Sequence, residues 1–253
     1  MPSIADILKP QILAAEKDFL FVYKPPRMHS APLADSRGEN ILDWCARKHP
    51  EIRDFPGRKE GEGGLLHRLD FETHGLLLLA RNRSGMEALL LQQTEGKIKK
   101  EYSALAAESK TVLSGFPGRK PGFPKVNPGS LAGKNITSAF RPYGPGRKAV
   151  RPVCIEASEG ENEKDLYTTE IPEICPVSAG VFSLKLRICR GFRHQIRSHL
   201  AWLGMPILND ELYGGSSYGK GLLALRAFSI TFNDPSSGEE RRCSIPPLEL
   251  GDV

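Results

Sequence analysis

The sequence predicts an α+β protein built on a mixed, largely antiparallel sheet, and three observations carry that prediction. Short β-branched, aromatic or leucine-rich runs recur at FLFVY (19–23), LLLLA (76–80) and YSALAA (102–107). Two later segments alternate: VFSLKLRIC sets Phe182, Leu184, Leu186 and Ile188 against Ser183, Lys185 and Arg187, and Phe228, Ile230 and Phe232 repeat the pattern. Helical spacing is confined to a few short stretches, without the regular strand–helix beat of a doubly wound sheet.

In chain order, residues 1–16 read as a short helical lead-in. FLFVY is a strand that stops at Lys24-Pro25-Pro26. Asn40 is placed to cap a helix through ILDWCARKH, closed by Pro50. Leu76–Ala80 is too short for a helix and reads as a buried strand. Ser84 with Glu87 fits a capping box for a helix carrying Met86, Leu89 and Leu90 on one face and stopping at Gly96. KEYSALAAE (100–108) is a strand, and HQIRSHLAWLG is a helix ended by Gly204 and Pro206. Cys189 is expected to be packed inside.

With 253 residues, 40% hydrophobic and 26% charged, the chain can bury a sizeable core. No stretch approaches the roughly 20 apolar residues of a membrane span, and the first residues lack the pattern of a secretory signal. The five cysteines are scattered and never spaced C-x-x-C, as expected of reduced thiols in a cytoplasmic protein. Between Arg119 and Arg151 stand eight basic residues and no acidic one, interleaved with Gly and Pro. This stretch, within a segment spanning 115–153, reads as a surface loop able to track phosphates, with Phe123 and Tyr143 available to stack on bases. A solvated insertion is the plainer alternative.

The densest chemistry lies in HRLDFETHGLLLLARN (67–82), where two histidines, an arginine and an aspartate stand at the mouth of a leucine run. A metal site fits poorly. His67 and His74 lack the i, i+4 helical spacing of a zinc motif, and Arg68, Arg193 and Arg197 stand beside the candidate ligands. The one G-x-S-x-G match, around Ser217, follows no apolar strand and precedes no histidine, so a nucleophile elbow is excluded. A phosphate-binding G-x-x-x-x-G-K-[ST] loop is absent. Taken alone, Arg68 and Asp70 could be a structural ion pair at a strand edge.

The stretch does not stand alone. HRLDFETHGLLLLA resembles the HRLDxxTSGLLL signature of the RluA-type RNA pseudouridine synthases. RGFRHQIRSHLAWLGMPILNDELYGG is similar to that family's GRTHQIRxHLxxLGxPIxGDxxYG segment. Lys24-Pro25, Lys100-x-Tyr102-x-Ala104 and LRAFSITFNDPSSGE supply further matches in family order, over about residues 17–239.

The resemblance implies a catalytic domain over 17–249, its sheet split into two lobes with helices and loops around it and a basic catalytic cleft between them. Many relatives carry a small N-terminal RNA-binding domain, but with only some fifteen residues before the first strand no such separate domain is expected here. The resemblance also implies a cofactor-free isomerase that converts uridine in ribosomal or transfer RNA into pseudouridine; no metal is expected, and nothing in the sequence demands more than a monomer. Asp70 would be the catalytic carboxylate, Arg197 its cationic partner and Tyr102 the residue stacked on the target uracil. Arg68 is a candidate RNA or flipped-base contact, and Arg147 and Lys148 in the basic segment are candidate phosphate contacts. His67, Thr73, His194 and Gln195 share the pattern as candidate substrate-side residues, with turn or helix-start stabilisation as their simpler role. Departures stand at His74 (usually Ser), Phe192-Arg193 (usually Arg-Thr), Asn209 (usually Gly) and Arg226 (usually His). Of these, Arg193 and Arg226 are expected to alter contacts with the RNA backbone. The rivals are a catalytically idle RNA binder and a metal-dependent hydrolase.

Overall fold

A computed structural model describes residues 8–33, 38–109, 113–118, 128–153 and 165–253. The chain divides into two compact units, Met1–Glu101 with Arg226–Pro247, and Tyr102–Leu225 with Leu248–Val253. No helix among the described residues is long and apolar enough to cross a membrane.

In the first unit β1 (Gln11–Ala15), β2 (Phe19–Lys24) and β3 (His74–Ala80) pair antiparallel in sequence order. The start of β3 then pairs parallel with β9 (Leu225–Asn233), which also pairs antiparallel with β10 (Glu240–Ser244). Every residue of β2 and β3 is buried, so the leucine run is core on both faces. Phe19, Phe21, Leu66, Leu76, Leu78, Ile98, Ile230 and Phe232 pack into one cluster with Met86 and Leu89 of α2 (Arg83–Thr94). Phe19 and Phe232 meet edge to face at 5.0 Å.

Gly75 is required where β3 meets β9. Its φ is +122°, and a Cβ there would overlap the backbone of Ala227, its partner in the ladder.

In the second unit the order is β4 (Lys99–Ala107), β8 (Val181–Ile188), β7 (Tyr167–Ser178), β5 (Lys134–Tyr143) and β6 (Ala149–Val153). The β7–β8, β5–β7 and β5–β6 pairings are antiparallel. Helix α3 (Gln195–Trp202) packs on β6 and β7. The mixed, largely antiparallel sheet is therefore as expected.

Several local readings are corrected. The lead-in is not helical where it is described: Gln11–Ala15 is an edge strand, held by pairing with β2 rather than by any propensity of QILAA. The basic segment is not simply a loop, because residues 134–143 and 149–153 form an antiparallel hairpin. Arg119, Lys120, Phe123 and Lys125 lie outside the described residues.

Asn40 caps α1 (Ile41–Ala46) as expected, accepting from the Asp43 N–H at 2.9 Å. The cap of α2 is Asn82, which accepts from the Gly85 N–H at 2.8 Å, while Ser84 donates its hydroxyl to Asn82. The start lies two residues earlier than expected because Asp18 Oδ1 holds the Asn82 amide at 2.9 Å. Cys189 is only partly buried.

Two histidines of the first unit are buried without charge. His74 accepts at Nε2 from Arg226 Nε at 3.0 Å, and burial, assisted by the Arg226 and Lys24 charges, takes its pKa down to about 3. His67 accepts at Nε2 from the Leu78 N–H at 3.4 Å, and burial holds it well below the ordinary value of 6.5. The unfolded chain protonates both near pH 6.5 and the folded chain does not. Their contribution to stability is complete above that pH and is lost as the pH falls below it. Urea unfolding measured stepwise from about pH 7 to 5 should show stability falling by up to about 1.4 kcal/mol per pH unit for each histidine. A flat profile would contradict the neutral burial of both rings.

Candidate active site

The expected site residues fall into two groups, one in each unit. In the first, Asp70 sits half-buried on the irregular segment that leads into β3, and the backbone on both sides of it is anchored. Leu69 donates its N–H to Ser30 Oγ at 3.0 Å and accepts from the same hydroxyl at 2.9 Å. Lys24, fully buried at the end of β2, donates from Nζ to the Phe71 carbonyl at 3.2 Å. It also donates to the carbonyls of Pro25 and Met28, each at 2.8 Å.

Three acceptors need three protons, so only the ammonium form satisfies them all. Burial pushes the Lys24 pKa down from 10.5 to about 7, while the negative charges of Asp70 and Glu72 oppose the drop. Here the sequence reading missed a residue. It had noted Lys24-Pro25 as a family match but had no contact to give Lys24 a role, because Phe71 lies 47 positions away.

The other residues of the segment divide by depth. Arg68 is exposed and reaches Glu62 at 3.5 Å. His67 is buried, its Nδ1 without a partner among the described residues, and the same holds for Thr73 Oγ1. His67 joins the loop to β3 through the Leu78 N–H.

In the second unit Tyr102 is buried on β4, and Arg197 is buried on α3. Arg197 grips Asp210 with two bonds, Nε to Oδ2 at 2.7 Å and Nη2 to Oδ1 at 2.8 Å, and lies over the Tyr213 ring at 5.3 Å. A bidentate pair of this kind fixes the guanidinium plane. Removing one partner of such a buried pair typically costs about 3–5 kcal/mol.

Tyr213 Oη accepts from the Val150 N–H at 2.9 Å and donates to the Val150 carbonyl at 3.1 Å. With that proton committed, His194 Nδ1, at 3.2 Å, is the donor to the hydroxyl. His194 occupies the N-cap position of α3 with φ +54° and no capping bond from its side chain, so the expected helix-start bond is replaced by the tyrosine contact. Gln195 accepts from the Phe192 N–H at 3.0 Å and donates to Thr168 O and Thr169 Oγ1 at 2.9 and 3.1 Å.

Arg147 and Lys148 are exposed at the β5–β6 turn. Arg193 ties that turn to the start of α3, donating to the carbonyls of Arg147 and Ala149 at 2.9 and 3.1 Å. The departures at 193 and 226 therefore make protein contacts in this structure. Arg226 is buried, and besides His74 it donates to the carbonyls of Pro246 and Pro247 at 3.2 and 3.3 Å. Among the described residues no three His, Cys, Asp or Glu side chains are grouped to hold a metal ion.

Residues 18–202 match the family described as RNA pseudouridylate synthase. The chain belongs to that family. Relatives include the ribosomal large subunit pseudouridine synthase D of Haemophilus ducreyi, 26% identical over 93% of this chain and 66% of its own length. The ribosomal large subunit pseudouridine synthase C of Haemophilus influenzae is 30% identical over 93% of this chain and 64% of its own length. The chain thus spans about two thirds of these curated relatives. Human RNA Pseudouridylate Synthase Domain Containing 4 shares the fold with a TM-score of 0.62 at 16% identity, over 95% of this chain and 89% of that one. Human RNA Pseudouridylate Synthase Domain Containing 1 gives 0.59 at 23%, over 97% and 86%.

The Lys24–Asp70 coupling can be measured. In an NMR titration of isotope-labelled lysine, Lys24 should titrate near pH 7, and Asp70→Asn should move the midpoint lower by removing the charge that favours the ammonium. An unmoved midpoint would show that the two groups do not sense one another.

Proposed function

We propose that the protein isomerises specific uridines of structured ribosomal or transfer RNA to pseudouridine, with Asp70 as the catalytic carboxylate. The observation that carries this reading is an anchored loop within a family-wide match: Asp70 stands between two braced backbone groups, with a buried ammonium among its electrostatic neighbours. The reaction conserves atoms and electrons. The bond between the uracil nitrogen and the sugar carbon breaks, the base turns, ring carbon five bonds to the same sugar carbon and gives up its proton, and the freed ring nitrogen takes up a proton. No cofactor or metal is required.

An ionised Asp70 close to the target nucleoside serves any of three roles: attack on the sugar, attack on the base, or removal of a sugar proton. Arg197, its plane set by Asp210, is assigned as the cation facing that carboxylate, and Tyr102 as the stacking partner of the uracil. Arg68 is exposed and is assigned to the RNA or to the flipped base. His67, Thr73, His194 and Gln195 support the reacting groups from buried or half-buried positions. The target must leave its stack, a cost of a few kcal/mol that contacts to the RNA offset. A monomer working in the cytoplasm suffices for all of this.

Asp70→Asn should abolish pseudouridine formation on unmodified ribosomal and transfer RNA transcripts, while RNA affinity and thermal stability stay close to wild type. Substantial residual isomerisation by that variant would refute the role given to Asp70. For the phosphate contacts, replacing Arg147 and Lys148 together with glutamine should flatten the dependence of log affinity on log salt by roughly 1.5. An unchanged slope would remove the β5–β6 turn from the RNA-binding surface.

A further inference from the structure

The fold leaves an aromatic ring in solvent immediately after Asp70. Phe71 is 41% exposed and is the one aromatic among the large hydrophobic side chains exposed in the described residues. It is not loosely placed. Its carbonyl is held by Lys24 Nζ at 3.2 Å, and two residues earlier the backbone is fixed by Ser30. Its ring lies against the His29 imidazole, centroids 4.6 Å apart and planes 37° from one another. His29 is anchored in turn, because its carbonyl accepts the Ile41 N–H at the start of α1 at 2.9 Å.

Two arginines stand near the pair in sequence, each lying against a glutamate: Arg27 against Glu72, and Arg68 against Glu62 while remaining exposed. The hydrophobic cluster of this unit does not include Phe71, so core packing gives no reason for a phenyl group here. The two positions between Asp70 and Thr73 are unspecified in the signature this segment resembles. Phe71 is therefore a property of this chain and not of the motif.

We propose that Phe71, backed by His29, stacks on the nucleobase adjacent to the target uridine and gives the protein a preference for a purine there. The inference rests on the isomerase reading above. When a uridine leaves its stack, the neighbouring base loses a stacking partner on that side. Phe71 follows Asp70 directly in the chain, their Cα atoms about 3.8 Å apart, and its exposed ring is free to take up such a base. Every base presents a π-face, and the preference follows from stacking strength, which favours the larger purine surface.

Because Phe71 is exposed, its replacement leaves the fold intact, and the test uses the full chain. Unmodified ribosomal and transfer RNA transcripts locate the modified uridine, and hairpins built on that site carry adenine, guanine, cytosine or uracil next to it. Phe71→Ser should raise KM roughly tenfold, the scale of one base–aromatic stack, with kcat within twofold, and should erase the purine preference. Phe71→Trp should restore both, and Phe71→Leu should restore neither. An unchanged KM in Phe71→Ser, or rescue by leucine as complete as by tryptophan, would overturn the proposal and leave the isomerase reading standing.

A binding readout is independent of turnover. 2-Aminopurine placed in the neighbouring position, or beside each uridine in turn if none is modified, should be quenched on binding to wild type and not to Phe71→Ser. Equal quenching by the two proteins, or none by either, would overturn the stacking role. Absence of pseudouridine with the wild-type protein would instead remove the functional reading, with the quenching still deciding Phe71.

Discussion

The loop that carries Asp70 leads into a strand buried on both faces, and holding its backbone in one place is the constraint around which much of the first unit is organised. The leucines of β3 provide a rigid, apolar support. Lys24 is a charge brought into the interior at the end of β2 and satisfied by three backbone carbonyls. Its depressed pKa is the cost of that placement, and the pull from Asp70 and Glu72 limits how far it falls. The same ammonium that neutralises the loop electrostatically also pins its backbone at Phe71.

The second unit solves a related problem with a different pairing. A guanidinium on a short helix has many rotamers, and Arg197 is confined to one plane by Asp210 on one side and the Tyr213 ring on another. Tyr213 is itself fixed by both backbone groups of Val150, so the β5–β6 hairpin, the start of α3 and the guanidinium are mechanically connected. Arg193 adds a second tie between that hairpin and the helix start. The exposed Arg147 and Lys148 are thus carried on an ordered turn.

The departures from the family pattern also resolve into physical pairs. His74 and Arg226 face one another across the short parallel pairing of β3 and β9, with the imidazole lone pair accepting from the guanidinium. A histidine forced neutral by burial is a suitable acceptor for a buried arginine, and the remaining arginine donors find the carbonyls of Pro246 and Pro247. The two substitutions make sense together and would leave a buried polar group short of a partner if made singly.

How much of this was legible in the chain depends on the range of the interactions involved. The sequence alone determined the mixed sheet, the β2, β3, β4 and β8 strands and the Asn40 cap, since alternation, apolar runs and caps act over a few residues. It misread Gln11–Ala15 and most of 134–153, where weak local preference and Gly/Pro content conceal strands made by pairing with distant partners. It shifted the α2 cap because both Asn82 and Ser84 are competent caps, and the choice lies with Asp18, 64 residues away. Only the tertiary structure decided that Lys24 braces the Asp70 loop, that Asp210 orients Arg197 and that Phe71 stays in solvent. Burial and long-range hydrogen bonds join residues that no local pattern connects, and those joins are made only when the sheet closes.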